Sequence, residues 1–101
     1  MRSISVQDLK ALLDQGGVQV VDVREPAEYA EGHVPGAASM PLATVPLRFA
    51  EIDRDLPVHL ICAVGGRSAQ AGQYLDQQGF YTVNVEGGTV DWVSAGFPAD
   101  R

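Results

Sequence analysis

The sequence predicts an α/β fold, a single domain over residues 1–101 with a parallel sheet of four or five strands and helices on both faces. Helical and strand-like segments alternate along the chain, and strands separated by helices usually join as parallel neighbours. Apolar residues make up 46% of the chain and charged residues 20%, which is typical of a globular domain. A second core would leave each half of the chain too small to fold alone, so we expect one domain with a single core.

The first half of the chain alternates helix and strand signals. Ser5 and Asp8 stand at the spacing of a helix cap, apolar residues then recur at helical intervals, and Gly16 ends the helix. The β-branched run that follows predicts a buried strand, and Pro26 suits the first turn of a short helix. The predicted elements are an edge strand, a helix, a core strand, a short helix and an extended segment, at residues 2–5, 6–15, 18–23, 26–29 and 38–40.

The second half of the chain is predicted to hold two more core strands, at residues 58–62 and 81–85, with a helix at 68–78 between them. A weaker helix at residues 44–52 precedes them. Gly79 is placed as the left-handed cap of the longer helix, and a Gly-Gly pair at 87–88 leads into a last short helix. We expect the large side chains of this half to pack in the core: Trp92, Leu47, Phe49 and Phe97.

Charge and cysteine content exclude several classes of function. The net charge of −6 argues against binding to nucleic acid or to an anionic membrane, because both need a basic face. The longest apolar run, residues 60–64, is too short to span a bilayer, and the first residues lack the apolar segment of a secretory signal. The lone Cys62 excludes an internal disulfide framework and a cysteine-based zinc cluster. We therefore expect a cytoplasmic protein with no metal site.

Cys62 ends a predicted core strand, and active sites in parallel sheets gather at the carboxyl ends of strands. Gly65 and Gly66 let the next loop curl so that successive backbone N–H groups point into one concavity beside the start of a helix. Arg67 adds the only formal positive charge in the loop. These features favour a thiolate, so the sequence predicts a nucleophilic cysteine. The alternative is a buried cysteine that serves as a small hydrophobic side chain.

Three segments, in this order, resemble the rhodanese (thiosulfate sulfurtransferase) family over nearly the whole chain. They are VVDVREPAEYAEGHVPGA at residues 20–37, CAVGGRS at 62–68 and GFYTVNVEGGTVDWVSAGFP at 79–98. The resemblance implies a rhodanese-like three-layer fold and an enzyme that needs neither a metal nor an organic cofactor. It also implies ping-pong sulfur transfer: Cys62 takes the outer sulfur of thiosulfate or of a persulfide donor, and cyanide, a small thiol or a protein thiol removes it.

The resemblance also assigns residues to this reaction. Cys62 is the implied catalytic nucleophile. The implied binding site for the terminal sulfur of the persulfide is the backbone of the following loop: Ala63, Val64, Gly65, Gly66 and Arg67. Ser68 is an implied supporting residue, and so are Asp22 and Arg24 after the first core strand.

The charged and imidazole side chains in and near these segments can also have purely structural roles. Asp22 and Arg24 either brace the active loop or pair within their own turn, and the second is favoured because buried charges usually survive by pairing. His33 and His59 are expected to be structural. Regular alternation along the strand places the side chains of His59 and Cys62 on opposite faces of the sheet.

Two other functions and one question of substrate stay open. Related phosphatases have one more loop residue, so the C-x4-R spacing from Cys62 to Arg67 favours sulfur transfer over phosphate hydrolysis. A non-catalytic interaction or sulfur-carrier module usually lacks the cysteine or the loop glycines, which this chain keeps. Ala63 and Val64 stand where thiosulfate-using members often carry basic or polar side chains, which makes a persulfide the alternative donor.

Overall fold

The computed structural model describes residues 1–101 and contains a five-stranded parallel sheet with helices on both faces, as the sequence predicts. The strands are β1 Arg2–Ile4, β2 Gln19–Asp22, β3 Ala38–Ser39, β4 Val58–Ile61 and β5 Thr82–Val85. The α-helices are α1 Val6–Gln15, α2 Pro26–Glu31, α3 Val45–Arg48, α4 Gly66–Gln77 and α5 Gly88–Ser94. All neighbouring strands are parallel in the order β1-β5-β4-β2-β3, so β4 lies at the centre of the sheet.

Two apolar clusters, one on each face of the sheet, hold the layers together. Leu60 of β4 belongs to the cluster that packs against α4, and the adjacent Ile61 belongs to the cluster that packs against α1 and α5. Trp92 of α5 is fully buried in the second cluster, and its Nε1–H donates to the Pro98 carbonyl over 2.8 Å, which confirms its predicted packing role. None of the helices has the length and apolar character needed to cross a bilayer.

The predicted cap at the start of α1 and the predicted left-handed glycine after the end of α4 are confirmed. The Ser5 hydroxyl accepts the Asp8 N–H over 3.1 Å at the start of α1. Gly79 has a φ of +88°, and the turn around it closes α4 with a hydrogen bond from Phe80 N–H to the Leu75 carbonyl. α4 begins at Gly66, two residues earlier than predicted, because Gly65 rather than a later residue serves as its cap.

The predicted helix over residues 44–52 is wrong in extent. Only Val45–Arg48 is α-helical, between 3-10 turns at Leu42–Thr44 and Phe49–Glu51. The Phe49 ring packs edge-on against Tyr74 and Phe80, so the chain follows this packing rather than continuing a helix. The predicted burial of Leu47 is also wrong, since it is 88% exposed. A helix of four residues buries Val45 and cannot place the residue two positions later on the same face.

Candidate active site

Cys62 directly follows β4, so it lies at the carboxyl end of the central strand. Its side chain is only 1% exposed and belongs to the apolar cluster that contains Val21 and Leu60. Its Sγ nevertheless has polar neighbours: Gly65 N–H donates to it over 3.1 Å, and Ser68 Oγ lies 3.3 Å away. The cysteine is therefore buried, as the structural alternative expects, but its sulfur lies against hydrogen-bonding groups.

Backbone amides surround the sulfur because the loop turns tightly into α4. Gly65 makes this turn with a φ of +115°, a conformation that residues with a Cβ rarely adopt. Four residues beside Gly65, in the loop and the first turn of α4, have backbone N–H groups that donate to no backbone carbonyl. They are Val64, Gly66, Arg67 and Ser68. Unpaired amides at the first turn of a helix form a concavity that favours an anion. One amide of the predicted cradle, Gly65 N–H, donates to the sulfur, and binding of a transferred sulfur by the loop stays a prediction.

Hydrogen bonds decide the ionisation of the Cys62 thiol. Burial by itself raises the pKa of this thiol, because a low-dielectric environment disfavours the thiolate. In the thiolate form, hydrogen bonds from the Ser68 hydroxyl and from the N–H groups of Ser68, Gly65 and Val64 act in the opposite direction. Together they outweigh burial, so the pKa of Cys62 lies below that of an ordinary thiol, which increases the thiolate fraction near neutral pH.

The first turn of α5 holds the other side of the loop. The Cys62 carbonyl accepts hydrogen bonds from Thr89 N–H over 2.9 Å and from the Thr89 hydroxyl over 3.2 Å. The Ala63 carbonyl accepts from Val90 N–H over 3.1 Å. Gly88 makes this approach possible, because a Cβ there would lie 2.5 Å from the Ala63 carbonyl oxygen and closer still to that of Cys62. In the sequence the Gly-Gly pair indicates only a helix start, because its contact with the Cys62 loop joins segments far apart in the chain.

Arg67 is bound to a carboxylate and does not point an unpaired charge into the loop. Its Nη1 and Nη2 donate to the two carboxylate oxygens of Glu28 over 2.7 and 3.0 Å, and Glu28 also accepts the Glu25 N–H over 3.0 Å. The Arg67 guanidinium and the Glu25 N–H lower the pKa of Glu28 to about 2. This pair joins α2 to α4 and neutralises the one formal cation of the loop.

The Arg67–Glu28 pair gives a prediction about acid stability. Because the pKa of Glu28 falls from 4.5 to about 2 on folding, its stabilising effect is complete above pH 4.5 and is lost as the pH falls towards 2. We expect Glu28→Gln to reduce the free energy of unfolding at pH 7 by about 1 kcal/mol at most, since the pair is partly exposed. The difference from the wild type should shrink below pH 4.5 in urea unfolding curves. A constant difference down to pH 2 would contradict this.

Asp22 and Arg24 pair with each other within their own turn, which is the interpretation that the sequence analysis favours. Arg24 Nη2 donates to Asp22 Oδ2 and to the Gly32 carbonyl, both over 2.8 Å, and Asp22 is fully buried. Arg24 also lines a cleft of about 360 Å³ that opens beside Ala63 and is otherwise bounded by residues of α5: Thr89, Val90, Val93 and Ser94. The pair therefore fixes the turn next to the loop, and no hydrogen bond joins it to the loop.

Both histidines are engaged in hydrogen bonds away from the sulfur. The His33 ring stacks on Tyr29 at 3.6 Å, and its Nδ1 lies 2.8 Å from the Tyr29 carbonyl. His59 Nδ1 lies 3.1 Å from the Gln19 carbonyl, on the sheet face opposite Cys62. Burial lowers the pKa of His59, although its hydrogen bond with Gln19 acts the other way. No group of three or more His, Cys, Asp or Glu side chains converges as metal ligands would.

Comparison with known proteins agrees with this geometry. The family described as Rhodanese-like domain matches residues 5–95. The chain belongs to the rhodanese family. A sulfurtransferase from Allochromatium vinosum is 43% identical over 88 residues, covering 86% of this rhodanese and 82% of that protein. A thiosulfate sulfurtransferase from Pseudoalteromonas translucida is 34% identical over 95 residues, covering 93% and 90% of the two chains.

A solved structure matches the whole fold of this rhodanese. A rhodanese-related protein from Thermoplasma volcanium superposes with a TM-score of 0.92 at 35% identity, and the match covers 99% of this chain and 98% of that chain. The family resemblance of the three sequence segments and the three-layer fold that it implies are therefore confirmed. Relatives over most of its length are named sulfurtransferases, which supports a transferase.

Proposed function

We propose that this rhodanese is a sulfurtransferase that carries sulfur as a persulfide on Cys62. The observation that carries the proposal is the Gly65 N–H, 3.1 Å from Sγ, in a ring of amides at the carboxyl end of the central strand. The Cys62 thiolate attacks the outer sulfur of the donor, the Sγ–S bond forms, and the donor's S–S bond breaks with its electron pair leaving on sulfite or a thiolate. An acceptor thiolate then attacks the outer sulfur and releases Cys62 as thiolate.

The amide ring suits the charge that this reaction produces. In the persulfide the negative charge lies on the terminal sulfur, one bond further from the backbone than Sγ. The N–H groups of Val64, Gly66, Arg67 and Ser68 are not used by backbone carbonyls, so they are available to a group attached to Sγ. Preorganised amides stabilise such charge without reorganisation during the reaction. The loop backbone from Ala63 to Arg67 is therefore the proposed sulfur-binding site.

The donor that the site fits best is a persulfide on a small thiol or on a protein. Thiosulfate is a dianion, but Arg67 is paired with Glu28, Arg24 with Asp22, and the net charge of the chain is −6. The cleft beside Ala63 is mainly apolar and far larger than an inorganic ion needs, so it has room for the remainder of a thiol donor. The proposed acceptor is also a thiol, and the proposed location is the cytoplasm, where a free cysteine stays reduced.

Donor preference gives a second prediction. Val64 is 67% exposed in the loop, so Val64→Lys adds a cation near the sulfur without disturbing the core. One charge pair separated by about 4 Å in water is worth about 1 kcal/mol, so we expect kcat/KM for thiosulfate to rise by about threefold to tenfold. Turnover of a donor without net charge should be unchanged. The measurement is steady-state turnover of the two donors at low and high salt.

Leu56→Lys is the matched control for this experiment. It makes the same change in net charge at an exposed position before the amino end of β4, whereas the loop follows the carboxyl end of that strand. It should leave both donors unaffected. If the wild type already uses thiosulfate as efficiently as the persulfide, or if Val64→Lys does not improve it, the proposed donor class is wrong.

The sulfurtransferase proposal itself is tested by intact mass. The protein is incubated with thiosulfate or with a small-molecule persulfide, freed of excess donor and weighed without reductant. We expect the mass of one added sulfur atom, which a following incubation with a thiol removes. If no donor adds sulfur, the non-catalytic interaction module becomes the better interpretation.

A further inference from the structure

Ser68 lies between the reactive sulfur and a buried amide that the reaction scheme above does not use. Ser68 Oγ is 3.3 Å from Cys62 Sγ and 2.6 Å from Asn84 Oδ1, to which it donates. Asn84, on β5, is 8% exposed, and Ser68 is fully buried, so no bulk water competes for these groups. The other end of the Asn84 amide, Nδ2, donates to the Gly65 carbonyl over 3.4 Å. Asn84 thus contacts two of the residues that hydrogen-bond to the sulfur, Ser68 and Gly65.

A hydroxyl group has one proton, and this limits what Ser68 can do. While Ser68 donates to Asn84, it can only accept a hydrogen bond from the Cys62 thiol, which is an arrangement that suits the neutral thiol. A thiolate needs the same hydroxyl to donate to sulfur instead, and Asn84 Oδ1 then loses its donor. Turning the amide around would bring Oδ1 towards the Gly65 carbonyl oxygen, so the contact with Gly65 holds the amide in its present orientation.

We propose that Asn84 is a positioning residue that holds the Ser68 hydroxyl proton away from Cys62 and so restrains the nucleophilicity of the unloaded sulfur. Other groups around the sulfur do not account for such a restraint. The loop amides donate whatever the state of the sulfur, and Thr89 of α5 is uncharged and bonds to the Cys62 carbonyl. Arg67 of α4 is paired with Glu28 of α2, and Arg24 after β2 is paired with Asp22, so neither guanidinium group acts on the Ser68 proton.

One consequence concerns the sulfur-loaded protein and rests on the proposed function. In a Cys62 persulfide the charge lies on the terminal sulfur, and Sγ no longer needs a donor. The bond from Ser68 to Asn84 can then be kept, whereas the bare thiolate has to break it. Asn84 therefore favours the loaded form over the discharged thiolate, which suits a protein that must hold sulfur until an acceptor arrives.

The test measures the rate at which iodoacetamide alkylates Cys62 as a function of pH, in the wild type, Ser68→Ala, Asn84→Leu and the double variant. Asn84→Leu keeps the approximate shape of the side chain but removes the acceptor, so Ser68 is released to donate to the thiolate. We expect the midpoint of its profile to fall by about 0.4 to 1 on the pH scale, the value of one neutral hydrogen bond. The double variant should have the midpoint of Ser68→Ala, because without the hydroxyl there is no proton for Asn84 to hold away from the sulfur.

Each other outcome overturns the proposal. An unchanged or higher midpoint in Asn84→Leu would show that Asn84 does not compete for the proton. If Asn84→Leu lowers the midpoint equally in the wild type and in Ser68→Ala, Asn84 acts through Gly65 and not through the Ser68 proton. Asn84→Val gives the same readout if the leucine variant does not fold, as judged by the fluorescence of buried Trp92. Alkylation needs no sulfur donor, so this result is independent of whether the protein transfers sulfur.

Discussion

Cys62→Ser is expected to take up no sulfur from any donor and to lose at least about a thousandfold in turnover. Cys62 is the only cysteine in the chain, so no other side chain can form the persulfide. The serine oxygen keeps the position next to the Gly65 N–H and Ser68 but is a far weaker nucleophile than a thiolate. The loss would therefore report on the chemistry of the sulfur and not on the shape of the loop.

Two measurements separate loss of chemistry from loss of fold. Intact mass after incubation with donor detects the persulfide, and thiocyanate formation from cyanide measures turnover. Fluorescence of Trp92, which is fully buried, and urea unfolding show whether the variant keeps the native core. A folded Cys62→Ser that still forms thiocyanate at more than background rate would refute the Cys62 persulfide.

The sequence was sufficient to predict the sheet, the helices and the glycine-rich loop, because their signals are local. Short, mainly apolar runs that contain β-branched residues mark β2 and β4, and the cap at Ser5 and the left-handed Gly79 mark helix ends within a few residues. The local pattern predicts too long a helix around Val45–Arg48, since contacts of Phe49 with distant aromatic rings decide where the helix ends. Local pattern cannot contain that information.

The contacts around the sulfur could not be predicted in the same way. Ser68 meets Asn84 across 16 residues, the Cys62 carbonyl meets Thr89 across 27, and Arg67 meets Glu28 across 39. Each pair depends on the order of strands in the sheet, which places β4 between β5 and β2 and so brings the segments that follow these three strands together. The sequence therefore identifies the cysteine and its glycines, while the partners that hold them follow only from the assembled sheet.

Gly88→Ala is expected to reduce the free energy of unfolding by at least about 2 kcal/mol and turnover by more than about tenfold. Gly88 has a φ of +54°, and a Cβ there would overlap the carbonyl oxygens of Cys62 and Ala63. Those atoms belong to backbone, which cannot rotate away as a flexible side chain can. Either α5 moves away or the loop shifts, and both break the hydrogen bonds from Thr89 and Val90 that hold Cys62 in place.

Gly96→Ala separates this overlap from ordinary backbone strain. Gly96 follows α5, has a similarly positive φ of +79°, and has nothing within 4 Å of where its Cβ would lie. We expect Gly96→Ala to reduce the free energy of unfolding by about 1 kcal/mol, because alanine disfavours the left-handed conformation, and to keep full turnover. Urea unfolding and thiocyanate formation compare the two variants directly. If Gly88→Ala is as stable and as active as Gly96→Ala, the close contact between α5 and the Cys62 loop is not what holds the sulfur in its ring of amides.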